Sequence, residues 1–428
     1  MNIIEQGKRF VQSLQELARR TVWEWRRCPH CGSTLTGKNG SYVRHPWFLD
    51  GRRTVRVQRH WCQECQRSYS EQNALLVRSS WYARDVHRCA IDHWQHVGSS
   101  LRRTAEWLRS WAGRQERWRV WRPLDEGPGP VQCHLCASTV QRWLDGAGRT
   151  AQASLKGQLA GVASSGQMGS DGLWARLRGG GKRVLLAVVD SVSGVVWPPV
   201  VATGEESEEG WRQLFERAQA AGLELQGLFG VTSDGSHGLL AYLRGGLQWV
   251  SQQRCVWHLW RSLGRELVQR ASQAAQGLVG EAAQAAREQA RRELAALIRG
   301  VLNATTYLQA ETILAQLAAH ALGVGLAQAL WDQLDAALVH LLPYNRGLLR
   351  VAPEWYWRDF RLRLSRGRNH GSADRLERAA LVWAIYRNLT PAQRRSERKR
   401  HYRHPGLSPL AVAGASPGDI SYLDALGV

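Results

Sequence analysis

Residues 231–258 read VTSDGSHGLLAYLRGGLQWVSQQRCVWH, and this stretch decides how the chain folds. The apolar run GLFGV leads into Ser233, Asp234 and Gly235, and the segment HGLLAYLRG that follows has helical spacing. Strand, acid, glycine, helix is the order that presents a carboxylate at the C-terminal edge of a sheet. A second short apolar run, LQWV, then precedes Cys255-x-x-His258. Upstream lies another acid followed by glycine, Asp171-Gly172, and downstream Glu377 stands in a helix-like run. The three acids Asp171, Asp234 and Glu377 read as one metal-binding site.

Upstream of this stretch, Gly169-Ser-Asp171-Gly-Leu-Trp-Ala-Arg-Leu reads as a strand that starts at the acid, and Arg178-Gly-Gly-Gly-Lys182 as a turn. KRVLLAVVD, ending at Asp190, is almost continuously apolar, so it is expected to be a central, buried strand. VVWPPVVA makes a third strand, and Pro198 and Pro199 place its end at an edge or a bulge. Residues 207–221 read as helix and GLFGV as a fourth strand. Asp190 rivals Asp171 for the first acid position, although an Asp before a Ser-x-Ser-Gly turn also serves as a turn cap.

Three antiparallel strands, a helix and a further strand form a ribonuclease-H-like order. The expected class is therefore α/β: a ribonuclease-H-like mixed sheet with a helical insertion, preceded by a zinc ribbon and a helix-turn-helix domain. Attack on a phosphodiester needs an activated water or 3′-hydroxyl and a stabilised leaving oxygen. Two Mg²⁺ ions about 4 Å apart supply both, and carboxylates are suitably hard ligands for them.

Asp171-Gly, Ser233-Asp234-Gly-x-x-Gly-Leu and Gln253-Arg-Cys255-x-x-His258 together resemble the core of Mutator-like DDE transposases of bacterial insertion sequences. The run Ser372-Ala-Asp374-Arg-Leu-Glu377-Arg resembles the family's Ser/Thr-Asn-x-x-Glu-Arg segment, with Asp374 where Asn is usual. The resemblance implies DNA cleavage followed by strand transfer, with two Mg²⁺ (or Mn²⁺) ions per active site. Asp171 would bridge both ions, Asp234 would bind one and Glu377 the other. Cys255 and His258 sit beside the active site in that family and are expected to support it, His258 also reading as an ordinary core histidine. Glu354, Asp359 and Asp374 are alternatives for the third acid. The implied partners are double-stranded DNA, both the terminal inverted repeats of the element and the target, and a second copy of the chain in a homodimer or higher oligomer. A DNA-binding regulator with a dead core, and a nuclease that does not transpose, are the other readings.

Ahead of this core, Cys28-Pro-His-Cys31 and Cys62-Gln-Glu-Cys65 are two CxxC knuckles, and the segment between them is rich in strand formers and holds an Asp-Gly turn signal. They predict one structural Zn²⁺ in a ribbon, closed to catalysis by its four protein ligands. His30, His45 and His60 are competing ligands. Arg44, Arg52, Arg53, Arg56 and Arg59 would face DNA phosphate. Residues 84–111 read as two helices broken at Gly98-Ser99, with Ser99 or Ser100 as a cap. A third helix, CASTVQRWLDGAG, would present Ser138, Thr139, Gln141 and Arg142 to the major groove, with Val140, Trp143 and Leu144 as its apolar back. Cys133-x-x-Cys136 is either half of a second zinc site or a pair of buried thiols.

After the core, residues 263–350 are rich in Ala, Gln, Leu, Glu and Arg at helical spacing through at least three helices. The expected domains are 1–80 (ribbon with an N-terminal helix), 81–160 (helix-turn-helix), 161–262 (core, first part), 263–350 (helical insertion), 351–390 (core, last part) and 391–428 (basic tail). In the tail, Arg394, Arg395, Arg398, Lys399 and Arg400 form a cluster suited to DNA backbone, and HPGLSPLAVAG resembles a terminal motif of insertion-sequence transposases. Across 428 residues the net charge is +21, which points to a polyanionic partner. No signal peptide or membrane span is read, so a cytoplasmic, nucleoid-associated bacterial protein is expected, with thiols serving as ligands rather than disulfides.

Overall fold

The computed structural model describes residues 27–113, 135–178, 181–342, 345, 348, 357, 360–361, 370–391, 406–415 and 420–428. The chain divides into two compact units between Gly146 and Ala147, with Gly427–Val428 belonging to the first.

In the first unit, β1 (Thr36–Arg44) is followed by the short strands β2 (Trp47–Phe48) and β3 (Gly51–Arg52), which pair with each other. β4 (Val55–Cys62) pairs antiparallel with β1 and with β5 (Ser68–Ser70). This is the hairpin expected between the two knuckles. α1 (Arg84–Val97) stops where Gly98 adopts φ 62°, a left-handed conformation that glycine enters without steric cost. α2 (Leu101–Gly113) is capped by Ser100, whose Oγ accepts from the Arg103 N–H at 3.2 Å. α3 (Ala137–Leu159) joins them, and Val86, Ala90, Ala105, Leu108, Val140 and Trp143 form the core that the three helices share.

The second unit is built on a five-stranded sheet. β6 (Gln167–Arg176) and β7 (Lys182–Asp190) form an antiparallel hairpin, and β8 (Val200–Ala202) adds antiparallel to β7. α4 (Glu208–Ala220) follows, capped by Ser207, whose side chain accepts from the Gly210 N–H. β9 (Gly230–Ser233) then pairs parallel with β6 on its other side. After α5 (His237–Gly246), β10 (Ser251–Arg254) pairs parallel with β9. The order across the sheet is β10-β9-β6-β7-β8. β7 is buried from Val184 to Asp190, as its continuous apolar sequence requires. β8 lies at the edge directly after Pro198 and Pro199, where missing N–H donors do no harm. The fifth strand is SQQR rather than the apolar LQWV just before it. Its register with β9 begins at Ser251, and Trp249 remains exposed.

α6 (Val256–Gln273) leads out of the sheet into α7 (Gly280–Leu302), α8 (Tyr307–Ala319), α9 (Val324–Trp331) and α10 (Leu334–Ala337). Leu259, Leu263 and Leu267 on α6 share a core with Leu294, Ile298 and Val301 on α7 and Leu314 and Leu317 on α8. Each fully buried leucine of this kind contributes about 1.5–3 kcal/mol. Gln253 on β10 ties the far end of this insertion to the sheet. It is fully buried, its Nε2 donates to the Ala337 carbonyl at 2.7 Å, and its Oε1 accepts from the His340 N–H at 3.0 Å.

α11 (Ala373–Leu389) is capped by Ser372 and buries Leu376, Ala380 and Trp383, the residues expected to pack. Trp383 stacks on Trp357, whose Nε1 donates to the Asp171 carbonyl at 3.3 Å. α12 (Pro409–Val412), capped by Ser408, comes from the HPGLSPLAVAG segment and packs on α11. Asn388 at the end of α11 is fully buried and bonds both sides of Val196: Oδ1 accepts from its N–H at 2.8 Å and Nδ2 donates to its carbonyl at 2.9 Å. Replacing it with alanine strands two buried backbone groups, so Asn388→Ala is expected to lower unfolding free energy by about 2–4 kcal/mol in urea titration. A change below about 0.5 kcal/mol would show that the clasp carries no weight.

Candidate active site and metal centre

The parallel pairing of β6 with β9 sets the geometry of the acids. Met168 stands opposite Val231 and Gly169 opposite Thr232. Two residues further along the same register, Asp171 comes level with Asp234, on neighbouring strands about 4.8 Å apart. Asp171 is buried, and its Oδ1 accepts from the Gly172 N–H at 3.0 Å. Asp234 follows the end of β9, and its Oδ1 accepts from the Ser236 N–H at 3.0 Å, fixing the turn into α5. Cys255 follows β10 at the same level, and its N–H donates to the Ser233 carbonyl at 2.7 Å. Burial raises its thiol pKa first, and the charges of Asp171 and Asp234 raise it further, so all three side chains share one electrostatic neighbourhood. Cys255 is fully buried at the start of α6, and His258 lies on that helix's first turn with its ring edge-on to Trp257.

Asp190, the rival first acid, is fully committed to a turn. Its Oδ1 accepts from the Val192 N–H, the Ser193 N–H and the Ser193 hydroxyl at 3.0, 2.8 and 2.9 Å, and its Oδ2 accepts from the Ser165 N–H at 2.7 Å. Both oxygens are spent on holding the β7 turn, which is the capping role that its sequence context allowed.

Glu377 is not brought to the other two acids. It sits on α11 at the outer edge of the sheet, where Oε1 accepts from Arg217 Nη1 at 2.6 Å and Oε2 accepts from the Val201 N–H at 3.1 Å. β8 lies two strands from β6, roughly 10 Å away. Ligands of one magnesium ion stand about 2.1 Å from it, so this arrangement does not let Glu377 share an ion with Asp171. The physical reason is competition: an edge strand leaves N–H groups unpaired, and the Arg217 guanidinium beside that edge adds a charge partner. Asp374 lies on the first turn of the same helix, whereas Glu354 and Asp359 lie outside the described residues.

Two glycines in the motifs are there for packing. Gly235 has φ +78°, and a methyl group on it would strike the Arg254 guanidinium. A methyl on Gly238 would strike the backbone of Glu206 and Ser207, so α5 can approach the start of α4 only with glycine there. Sequence reasoning missed Glu206 as a neighbour of Asp234. Its available signal was an acid just before the helix that follows the third strand.

In the first unit, the sulfur atoms of Cys28, Cys31, Cys62 and Cys65 all lie within 4.8 Å of one another, with Cys28 Sγ 3.5 Å from Cys65 Sγ and Cys31 Sγ 3.6 Å from Cys62 Sγ. The His30 N–H points at Cys28 Sγ at 3.4 Å, as a knuckle N–H does to a metal-bound thiolate. Four converging thiols fit a closed tetrahedral zinc site. Among the described residues they are the only group of His, Cys, Asp and Glu that converges in this way. Cys136 is exposed, and hydrogen bonds from Ser138 and Thr139 draw its thiol down to about 7. Its expected partner Cys133 lies outside the described residues.

The expected DNA-facing residues separate. Arg52, Arg56 and Arg59 are exposed, Arg53 is exposed but paired with Asp50, and Arg44 is turned inward to the carbonyls of Val77 and Ser80. On α3, Ser138 and Arg142 are exposed, whereas Thr139 and Gln141 are buried. Gln141 Nε2 donates to Asp145 Oδ1 at 3.0 Å, and Thr139 Oγ1 accepts from Arg142 Nη2 at 3.2 Å. Those two side chains serve the helix rather than an outside face, because residues adjacent to Val140 flank its buried stripe. Arg394, Arg395, Arg398, Lys399 and Arg400 lie outside the described residues.

Residues 199–323 match the family model of the Mutator family transposases. The matched segment contains Asp234, Cys255 and His258, and it supports a Mutator-like transposase. No curated protein matches the chain. Among the described residues no helix is long and apolar enough to cross a membrane.

Two outcomes are expected. Gly238→Ala should cost about 1–3 kcal/mol in denaturant unfolding, because the obstructing atoms are backbone and cannot turn aside. Purified protein should also release one zinc per chain to a colorimetric chelator. Cys31→Ser should abolish that release and unfold the 27–70 hairpin while the second unit keeps its melting transition; unchanged zinc content in this variant would refute the site.

Proposed function

We propose that this protein is a DNA transposase with a ribonuclease-H-like core, which binds the ends of its element and carries out metal-dependent strand cleavage and strand transfer. The observation that carries the reading is the placement of Asp171 and Asp234 at one level on adjacent parallel strands. The family match supports it, since Asp234 falls within the matched residues. The sheet order supports it too: three antiparallel strands, with two parallel strands added in succession on the free side of the first.

The side chains suit a hard cation. The donors are carboxylate oxygens, the ligand type that such ions take. Asp171 and Asp234 would hold Mg²⁺ or Mn²⁺, two ions per site. Bound there, the metal would stabilise charge on the attacking and leaving oxygens of the phosphodiester. The backbone N–H groups of Gly172 and Ser236 each fix one oxygen of these acids, which keeps them oriented without metal. Glu377 is the acid expected to complete the set; to do so it must leave Arg217 and the Val201 N–H. Cys255 and His258 support the acids from the start of α6.

Double-stranded DNA is the partner in this reading, both element ends and target. Arg52, Arg56, Ser138 and Arg142 are its exposed candidate contacts in the first unit. The exposed Arg287, Arg291 and Arg292 on α7 add positive charge in the second. Joining two ends calls for at least two copies of the chain.

The test is cleavage of a plasmid carrying the DNA that flanks the gene. Wild type should cut at defined ends with Mg²⁺ or Mn²⁺ and stop in EDTA. Asp234→Asn should bind the same DNA with unchanged affinity and cut none of it; substantial cutting by that variant defeats the proposal.

A further inference from the structure

The strand that ends the sheet and the helix that leaves it carry arginines to which the fold gives no acid. β10 ends at Arg254, opposite Ser233 in its register with β9. The Arg254 side chain lies against Gly235, in the turn that holds Asp234, where a methyl group would strike its guanidinium. Its Nε is buried and has no hydrogen-bond partner. α6 starts beside the same turn, since the Cys255 N–H donates to the Ser233 carbonyl at 2.7 Å. Trp257, Arg261 and Arg265 then recur every four residues on α6, so they share one face of that helix.

That face is turned to solvent. Leu259, Leu263 and Leu267 commit the other side of α6 to the core of the insertion, whereas Trp257, Arg261 and Arg265 are exposed. Trp257 keeps 39% of its surface open, and the Arg261 guanidinium carbon stands 5.4 Å from its ring centre. Among the described residues no acid pairs with Arg254, Arg261 or Arg265, while Arg212, Arg217, Arg270 and Arg291 each hold one. Unpaired guanidiniums suit phosphate oxygens, and an exposed indole suits the flat face of a base. A base inside an intact duplex hides that face against its neighbours, so only an unpaired base offers it.

We propose that Arg254, Trp257, Arg261 and Arg265 form a track that leads one unpaired strand of DNA to the sheet edge bearing Asp234. The three arginines hold phosphates of that strand, and Trp257 stacks on an unpaired base beside the bond to be cut. The inference rests on the reading of Asp171 and Asp234 as the cleavage site, and it names the strand contact of that site.

The test is fluorescence anisotropy on the full-length, zinc-loaded chain without added Mg²⁺ or Mn²⁺. Two labelled probes are compared: a full duplex of the DNA that flanks the gene, and the same duplex with a few unpaired bases at one end. Trp257→Ala is expected to weaken the unpaired probe about tenfold and the full duplex less than about twofold, and Trp257→Phe should recover most of the loss. Arg261→Gln combined with Arg265→Gln should lower the slope of log affinity against log salt for the unpaired probe by about 1. Arg270→Gln, on the same helix but paired with Glu266, should leave that slope unchanged. Melting temperatures should match wild type, because the replaced side chains of Trp257, Arg261 and Arg265 are exposed. If Trp257→Ala weakens both probes equally, or if it and the double variant bind both probes as wild type does, this inference alone falls and plasmid cleavage still tests the aspartates. If wild type binds neither probe, the transposase reading falls first and the track with it.

Discussion

The parallel pairing of β6 with β9 is the constraint on which the second unit depends. Gln167, Met168 and Gly169 face Gly230, Val231 and Thr232 in order, and everything chemical follows from that register. A slip of one residue would turn Asp171 to the other face of the sheet and part it from Asp234. The register is protected by burial. Val231 is fully buried on one strand and Met168 nearly so on the other, and β7 on the far side is closed to solvent from Val184 to Asp190. Asp190 makes its own contribution by locking the turn after β7 with both oxygens.

Close approach is the second theme, and it accounts for residues that carry no chemistry. Gly238 lets α5 lie on the backbone before α4, and Gly172 lets a side chain cross β6. Gln253 performs the corresponding task for the insertion by bonding backbone groups on either side of Leu338. A large helical insertion is tolerated because its own core is complete and because its return point is fixed by a buried carboxamide rather than by the length of a loop.

The first unit works by different physics. Its hairpin is too small to bury much apolar surface, and four converging thiols offer a metal the closure that a core would otherwise supply. The helices beside it have an ordinary apolar core, so the inward turn of Thr139 and Gln141 is the cost of placing Val140 and Trp143. Among its exposed positive charges are Arg56, Arg59 and Arg142.

Several features were legible in the sequence because each depends on local spacing. The two CxxC knuckles, the apolar β7, the Ser100 cap, the edge position after Pro198 and Pro199 and the glycine after each aspartate are decided within a few residues. The pairing of Asp171 with Asp234 was also readable, because strand order alone brings them to one edge. What the tertiary structure decided are the contacts between segments far apart in the chain. Glu377 has the right motif and the right helix, but a carboxylate goes to whichever donors surround it, and at the edge of β8 these are Arg217 and the Val201 N–H, 160 and 176 residues away. Glu206 has no motif, and its carboxylate lies where it does because Gly172, far away in the chain, leaves it room. Spacing along the chain fixes which face a side chain takes; only the packed fold fixes which charge it meets.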